Sequence, residues 1–419
     1  MTSDEHRSEG QAPVEPREER LRLRSDADHW SFDLAVQQTG QVQHFWDPRR
    51  LPASVTTHDM ISKQLGKGAQ RLERLARSEA AAGHGLTALD FYFEAAGGYA
   101  QAQHAIFVNN PEKRMLHQSS LRCYDEVRKL APVVIEKVVI PWQGKSVTGY
   151  LHLAPVENPA PLVFFITGID MTKEMVPDPL RNWATARGMH LFVFEGPGQG
   201  ECNLDDLYLT VDNYEQAASA AISHLIARPE VDPRGVALYA MSFGSYWGAR
   251  LAGIDDRLAA VVLQWASVSD MHYLFQGFAS PRYKQVLAYV TRAKSEEELD
   301  EFIAEMKAAP FAPAIGAPTL ITVGEFDQRN PMEEIYRFFD SMTSPRELWV
   351  FADQHHRLSV KGTAGASTTA VDTHLLGMDW IRDRLDGRPL TGSGEVRYLE
   401  GNGIGPNDPA ASVKRHWFE

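Results

Sequence analysis

The hydrophobic positions change their periodicity once along the chain, near residue 133. Between residues 61 and 130 apolar residues recur at helical spacing, in three segments separated by Gly83-His84-Gly85 and Asn109-Asn110-Pro111. After residue 133, short continuous apolar runs alternate with segments of helical length. Parallel strands that are covered by helices on both faces have such continuous runs. The pattern therefore predicts an N-terminal helical module followed by a doubly wound, mostly parallel α/β sheet.

The apolar runs fall into a hairpin and a series of buried strands. Two β-branched runs at 133–140 and 147–153, joined by a Gln143-Gly144-Lys145 turn, predict an antiparallel hairpin. The strands expected after it are 162–167, 191–194, 236–240, 259–263, 319–323 and 348–351. The helices expected among them are 177–187, 212–227, 243–252, 332–342 and 371–386. A sheet of this kind places its functional groups at the carboxyl ends of its strands.

These elements divide the chain into four parts. We expect a disordered N-terminus at 1–30, a helical module at 31–132, an α/β domain at 133–386 and a Gly/Pro-rich tail at 387–419, to which no role is assigned. Within the α/β domain, the connection at 267–312 is too long for a simple crossover. Its first half is aromatic and its second half is an acidic amphipathic stretch. We interpret it as a lid over a pocket, with a pair of surface helices as the alternative.

Composition and charge narrow the classes of partner. The 419 residues carry a formal net charge of −13 with a sequence pI near 5.6, which leaves no basic surface for nucleic acid or an anionic membrane. No apolar run reaches about 18 residues, and the polar start of the chain does not resemble a secretory signal. Cys123 and Cys202 have no metal-ligand spacing. We expect a cytoplasmic protein that uses no metal or cofactor and binds a small molecule, and we leave a homodimer open.

The candidate chemistry begins at Ala240-Met241-Ser242-Phe243-Gly244, between a buried strand and a helix. A serine on a tight strand-to-helix turn is the arrangement of a nucleophile elbow, whose usual pattern is G-x-S-x-G. Ala240 replaces the first glycine with the smallest alternative, and Gly244 has no Cβ to keep helix and strand apart. Ser242 is thus a candidate nucleophile, and the alternative is a serine that caps an ordinary helix.

A serine nucleophile needs a base and an acid that orients the base. In α/β-hydrolases the acid and the histidine follow later strands, in that order. Asp327 follows one late strand and is the expected acid, with Glu325 as the fallback. Two histidines follow the next strand, and we favour His355 over His356 as the base because it lies four residues beyond the strand.

The oxyanion hole needs two backbone N–H groups. One is expected from Phe243, directly after the candidate nucleophile. The other is expected from Ile169 or Asp170, in the loop after the strand at 162–167, where Gly168 allows a tight turn.

Two further stretches of sequence point to a particular protein family. They are Gly168-Ile-Asp-Met-Thr-Lys-Glu174, beside the expected oxyanion hole, and Glu195-Gly-Pro-Gly-Gln-Gly-Glu201, after the next strand. Together with Ser242, Asp327 and His355, they resemble one branch of the α/β-hydrolases. This branch contains 2,6-dihydroxypseudooxynicotine hydrolase, the fungal heptaketide-pigment hydrolases and the FrsA-type esterase-like proteins, and the resemblance covers roughly residues 60–385.

The resemblance carries its own expectations. It implies an α/β-hydrolase fold in which the N-terminal helical module caps the active site, and members that cleave carbon–carbon bonds of ketones or β-diketones. It also implies that Glu174 is an additional catalytic acid beside the triad, while an ion pair with Lys173 or a helix cap is the structural alternative for this residue. The departures from the family pattern are Ala240 and the His355-His356 pair.

The leading hypothesis is a serine-triad hydrolase that acts on a small acyl or ketone substrate, with Ser242 as nucleophile, His355 as base and Asp327 as the orienting acid. An esterase, thioesterase, acyltransferase or cyclase would use the same residues. A third hypothesis, from another class, is a catalytically idle hydrolase scaffold that binds a protein partner.

Overall fold

The computed structural model describes residues 20–21, 23, 57–157, 159–275, 281–327, 329–356, 358, 371–390, 392–400 and 404–419. The stretch expected to be disordered, 1–30, lies outside these residues except for three positions. One of them, Leu23, is buried in the core cluster of the sheet.

The N-terminal module consists of three long helices, α1 (Ile61–Ala81), α2 (Gly85–His104) and α3 (Pro111–Leu130). Helix α3 begins as its sequence dictates, because Pro111 occupies the first turn and the Asn110 side chain accepts a hydrogen bond from Lys113 N at 2.8 Å. The module packs on the hairpin of the sheet, where Tyr124 of α3 stacks on Tyr150 with ring centroids 4.4 Å apart. The helical periodicity thus arises mainly from faces that the three helices bury against one another, in a cluster that Ile135 and Tyr150 of the hairpin join.

In the described part of the chain, ten strands form one sheet in the order β1-β2-β4-β3-β5-β6-β7-β8-β9-β10. The strands are β1 (Ile135–Trp142), β2 (Lys145–His152), β3 (Ala160–Ile166), β4 (His190–Glu195), β5 (Val231–Met241), β6 (Leu258–Gln264), β7 (Thr319–Gly324), β8 (Arg346–Phe351), β9 (Val396–Leu399) and β10 (Ser412–Val413). Neighbours from β4 to β9 pair parallel, and the hairpin β1-β2 and strand β10 pair antiparallel at the two edges. Each predicted apolar run overlaps one of these strands, and the doubly wound, mostly parallel sheet is confirmed.

Helices cover both faces of the sheet and contribute to the core cluster on each face. They are α4 (Gly200–Leu204), α5 (Asn213–Ile226), α6 (Phe243–Ile254), α7 (His272–Phe275), α8 (Pro281–Thr291), α9 (Glu296–Glu305), α10 (Met332–Ser341) and α11 (Val371–Leu385). Helices α7 to α9 form the long connection predicted at 267–312, and Phe275 packs edge-on against Phe243 at 5.7 Å. This connection therefore lies beside the start of α6. None of the helices in the described part of the chain is long and apolar enough to cross a membrane.

Two stretches differ from the prediction. The helix expected at 177–187 is wrong, since only its end, Thr185–Arg187, forms a short 3-10 turn. Val176 and Asp178 each precede a proline, and a residue before proline is disfavoured in the helical region. The C-terminal tail, to which no role was assigned, adds β9 and β10 to the sheet, with β9 parallel to β8.

Candidate active site

Ser242 occupies the strained turn between β5 and α6. Its φ of 57° and ψ of −131° are sparsely populated for a residue with a side chain, and such strain clusters at functional sites. The turn is possible because α6 approaches β3 closely, where a Cβ on residue 244 would stand 2.4 Å from the Thr167 carbonyl oxygen. The methyl group of Ala240 is accommodated because the facing residue, Gly248, has no Cβ. The replacement of the usual glycine at 240 therefore leaves the elbow intact.

The structure brings Ser242, His356 and Asp327 into one hydrogen-bonded chain. Ser242 Oγ and His356 Nε2 are 2.7 Å apart, and His356 Nδ1 and Asp327 Oδ2 are 2.6 Å apart. An ionised carboxylate can only accept, so Nδ1 donates to Asp327 and Nε2 is left to accept from the serine hydroxyl. All three side chains are buried, and they follow β5, β7 and β8. This is the arrangement in which an imidazole can remove the proton of a serine.

The structure brings His356, and not the favoured His355, within hydrogen-bond distance of Ser242. His355 is exposed and its Nδ1 lies 2.9 Å from the carbonyl oxygen of Phe326, whereas His356 lies between the serine and the aspartate. The loop after β8 turns at Asp353, whose φ of 57° is left-handed. His355 therefore lies at the surface, away from Ser242 and Asp327.

The surroundings of Asp327 keep the acid ionised. Burial alone would raise its pKa, but His356, the Arg329 cation and a hydrogen bond from Asn330 together hold that pKa below its ordinary value. Asn330 Nδ2 donates to Asp327 Oδ2 at 3.0 Å, and Arg329 N donates to Oδ1 at 3.1 Å. The sequence did not indicate a role for Asn330, because its side chain reaches Asp327 only through the turn that follows β7.

The surroundings of His356 keep the base neutral. Burial lowers the pKa of His356, Arg329 lowers it further, and Asp327 offsets only part of this effect. The imidazole is thus available as a proton acceptor at neutral pH. Glu325, the fallback acid, instead accepts a hydrogen bond from Asp353 N at 3.1 Å, at the base of the histidine loop.

The loop after β3, residues 168–171, lies against the nucleophile, and we call it the oxyanion loop. A Cβ on residue 168 would stand 3.6 Å from Ser242 Cβ and 3.7 Å from its Oγ. Ile169 and Asp170 are buried in this loop, as expected. The amide of Phe243 is the first of α6 and has no acceptor within that helix. The start of the oxyanion loop and the Phe243 amide therefore lie beside the serine side chain.

Behind the oxyanion loop lies a buried ionic group, which we call the Lys173 cluster: Lys173, Glu174, Glu195, Glu201 and Lys137. Lys173 Nζ is 2.9 Å from Glu174 Oε1, 3.1 Å from Glu195 Oε1 and 2.6 Å from Glu201 Oε2. Lys137 reaches the second oxygen of Glu201 at 2.6 Å. Burial would lower the pKa of Lys173, but the three carboxylates raise it well above its ordinary value. The ammonium group of Lys173 thus joins the Gly168–Glu174 and Glu195–Glu201 motifs.

Glu174 is placed in the ion pair that the sequence analysis weighed as the structural alternative. Its side chain is fully buried, and no hydrogen bond or ion pair joins it to Ser242, Asp327 or His356 among the described residues. Its Oε1 is held by the charge of the Lys173 ammonium group. Burial would raise its pKa, yet Lys173 and then His117 lower it. Its expected role beside the triad remains a prediction.

The comparisons with known proteins agree with this architecture. The FrsA-like esterase family matches residues 71–293. The chain is 26% identical over 262 residues to the 2,6-dihydropseudooxynicotine hydrolase of Paenarthrobacter nicotinovorans, which covers 62% of this chain and 69% of that protein. It is 27% identical over 202 residues to esterase FrsA of Vibrio cholerae serotype O1, 48% of each chain. It is 31% identical over 206 residues to hydrolase LUC6 of Fusarium sp, 46% of this chain and 49% of that one, so it spans about half the length of these last two relatives.

A solved structure shows the same fold over most of the chain. The crystal structure of the 2,6-dihydroxy-pseudo-oxynicotine hydrolase superposes with a TM-score of 0.69 and 22% identity, covering 88% of this chain and 98% of that one. At this identity the likeness establishes the fold alone. With the family match extending over more than half of the residues, the chain belongs to the FrsA-like esterase family and is a hydrolase of the α/β-hydrolase fold.

Proposed function

We propose that the protein is a serine hydrolase in which Ser242 is the nucleophile, His356 the general base and Asp327 the acid that orients the base. The observation that carries the proposal is the continuous chain of 2.7 Å and 2.6 Å contacts through the three buried side chains. A catalytically idle scaffold has no need to hold a serine at φ 57° against a neutral imidazole.

In this mechanism Ser242 Oγ attacks the carbonyl carbon of a small acyl or ketone substrate while His356 Nε2 takes its proton. The amides of Phe243 and Ile169 donate to the oxyanion that forms. When the intermediate collapses, protonated His356 gives the proton to the leaving group. Water then attacks the acyl-enzyme with His356 again as base, which releases the carboxylic acid and restores Ser242.

The bond cleaved is proposed to be the carbon–carbon bond next to the carbonyl group of a ketone or β-diketone. Support comes from the relative named for its action on 2,6-dihydropseudooxynicotine, and from the resemblance of both sequence motifs. Here the leaving group departs as a carbanion equivalent, which the substrate must delocalise and which His356 protonates. Ester hydrolysis is the second candidate, favoured by the family match and by the ion-paired state of Glu174, because an ester needs no additional acid.

A fluorophosphonate probe tests the proposal without knowledge of the substrate. The wild-type protein should gain one adduct, located on Ser242 by peptide mass spectrometry, and Ser242→Ala should gain none. Ser223→Ala, on the exposed face of α5, is the control and should label like wild type. An unlabelled wild-type protein, or an adduct that persists in Ser242→Ala, would remove Ser242 as the nucleophile.

A further inference from the structure

Gln199, in the Glu195–Glu201 motif, forms a buried bridge that the proposed mechanism does not yet use. Its Nε2 donates to Gly168 O at 3.0 Å and to Thr167 Oγ1 at 3.2 Å, and lies 3.5 Å from Met171 O. Its Oε1 accepts from Tyr214 OH at 2.6 Å and from Gly196 N at 3.3 Å. The orientation of the amide is fixed by chemistry, since a carbonyl oxygen can only accept and a backbone N–H can only donate.

The Gly168 carbonyl belongs to the same peptide unit as the amide of Ile169. In a planar trans peptide the C=O and the following N–H point in opposite directions. Gln199 Nε2 and Met171 N, at 3.0 Å and 3.1 Å, both donate to that carbonyl and so fix the orientation of the peptide plane. Donation to the carbonyl also polarises the peptide, which makes its N–H a stronger donor.

We propose that Gln199 is a positioning residue of the oxyanion hole: it holds the Gly168–Ile169 peptide so that the Ile169 N–H is presented to the oxyanion formed at Ser242. This inference rests on the proposed serine-hydrolase function and assigns a task to the most distinctive motif of the sequence. Gln199 itself does not touch the reacting atoms; it acts through the backbone of the oxyanion loop.

The same bridge connects the two expected amide donors. Tyr214, which donates to Gln199, stacks face to face on Trp247 of α6, with ring centroids 3.8 Å apart and planes 2° apart. Trp247 in turn packs edge-on against Phe243 at 4.7 Å. The route from Ile169 through Gln199 and Tyr214 therefore ends at the residue that supplies the other amide. Loss of the Gln199 contacts should loosen one donor relative to the other.

Gln199→Met tests the proposal, because methionine has a similar length and can neither donate nor accept a strong hydrogen bond. Removal of an oxyanion donor lowers kcat by about 10²–10³-fold, and a misaligned donor should cost about 10–100-fold. We expect this loss in the rate of fluorophosphonate inactivation and in kcat for a p-nitrophenyl ester, with KM within about threefold of wild type because the donor acts in the transition state. Gln216→Met, the same exchange on the exposed face of α5, should leave all three quantities unchanged.

The pH dependence of Gln199→Glu activity distinguishes a positioning role from a merely structural one. An ionised glutamate cannot donate to the Gly168 carbonyl and repels it, whereas a protonated one can donate while its other oxygen accepts from Tyr214. The ratio of the activity of Gln199→Glu to that of Gln199→Met should therefore rise as the pH falls. Dependence of both variants on His356 cancels in this ratio. Tyr214→Phe, which keeps the ring stack, should show a smaller loss of the same kind, about threefold to tenfold.

The proposal is overturned by a Gln199→Met inactivation rate within about threefold of wild type, by a loss confined to KM, or by a Glu-to-Met activity ratio that does not change with pH. If Gln199→Met does not fold, Tyr214→Phe decides: a lower inactivation rate with an unchanged KM supports the proposal, whereas an inactivation rate equal to that of wild type, or a loss confined to KM, overturns it. A wild-type protein that the fluorophosphonate does not label contradicts the proposed function instead. The two failures are therefore distinguishable.

Discussion

Lys173→Met should be among the most destabilising single substitutions in this protein. The ammonium group is fully buried and lies 2.6–3.1 Å from three carboxylates, so its removal leaves at least two buried acids without a counter-ion. Removal of one partner from a buried ion pair costs about 3–5 kcal/mol of folding free energy. Lys137→Met is the matched control: its side chain is 30% exposed and pairs with one oxygen of Glu201, so its loss should cost about 1 kcal/mol or less.

The cost of Lys173→Met should depend on pH in a defined direction. Burial, together with Glu174 and Glu201, raises the pKa of Glu195 to about 7, against an ordinary value of 4.5. Between these values the folded protein binds more protons than the unfolded chain, so the contribution of Glu195 to stability falls as the pH rises. Without the ammonium group the pKa of the clustered carboxyls rises further. The variant should therefore be less destabilised near pH 5.5, where these carboxyls can stay protonated, than near pH 8.

Urea denaturation followed by tryptophan fluorescence at about pH 5.5 and about pH 8 measures both quantities for wild type, Lys173→Met and Lys137→Met. An equal loss at the two pH values would mean that Lys173 matters for packing rather than for charge. A loss below about 1 kcal/mol at the higher pH would refute the assignment of a buried ion cluster behind the oxyanion loop.

Three further outcomes follow from the site. Asp327→Asn should lower kcat by about 10⁴-fold because it stabilises the wrong tautomer of His356. In the matched variant Glu325→Gln, kcat should stay within about threefold of wild type. A larger loss in Glu325→Gln than in Asp327→Asn would make Glu325 the acid. The lowered pKa of His356 places the acid limb of the kcat/KM profile below pH 6.5, and a limb above that value would contradict the neutral base. If Glu174 delivers a proton, Glu174→Gln should lower the turnover rate of a ketone or β-diketone by about 10²-fold and leave the hydrolysis of a p-nitrophenyl ester unchanged. Equal effects on both substrates would mean that Glu174 acts only as a structural ion-pair partner.

The fold could be predicted because the physical cause of each element is local. A strand that is buried on both faces requires a continuous apolar run, and an elbow requires a small residue beside its serine. The strand-end positions of Ser242 and Asp327 followed from these patterns alone. The tail strands β9 and β10 could not be anticipated, since β9 is a short edge-side strand in a Gly/Pro-rich stretch and its partner β8 is remote in sequence.

The details of the site depend on contacts that sequence spacing does not reveal. The two histidines are adjacent in the sequence, and only the folded loop shows that His356 reaches Ser242 and Asp327 while His355 contacts Phe326 at the surface. The roles of Lys173 and Gln199 come from segments that meet only through the parallel pairing of β3 with β4. The motif glutamates were visible as charges, but their common partner emerged only from the three-dimensional arrangement.

The proposed triad requires His356 to be the base, and the neighbouring histidine allows a direct test of this requirement. His356→Ala and His355→Ala make the same chemical change one residue apart, one inside the hydrogen-bonded chain and one at the surface. The rate of fluorophosphonate inactivation at neutral pH should fall by about 10³-fold or more in His356→Ala, because the base and the nucleophile of a triad act as a unit. In His355→Ala the rate should stay within about threefold of wild type. Comparable rates in the two variants, or a larger loss in His355→Ala, would contradict the assignment of His356 as the base.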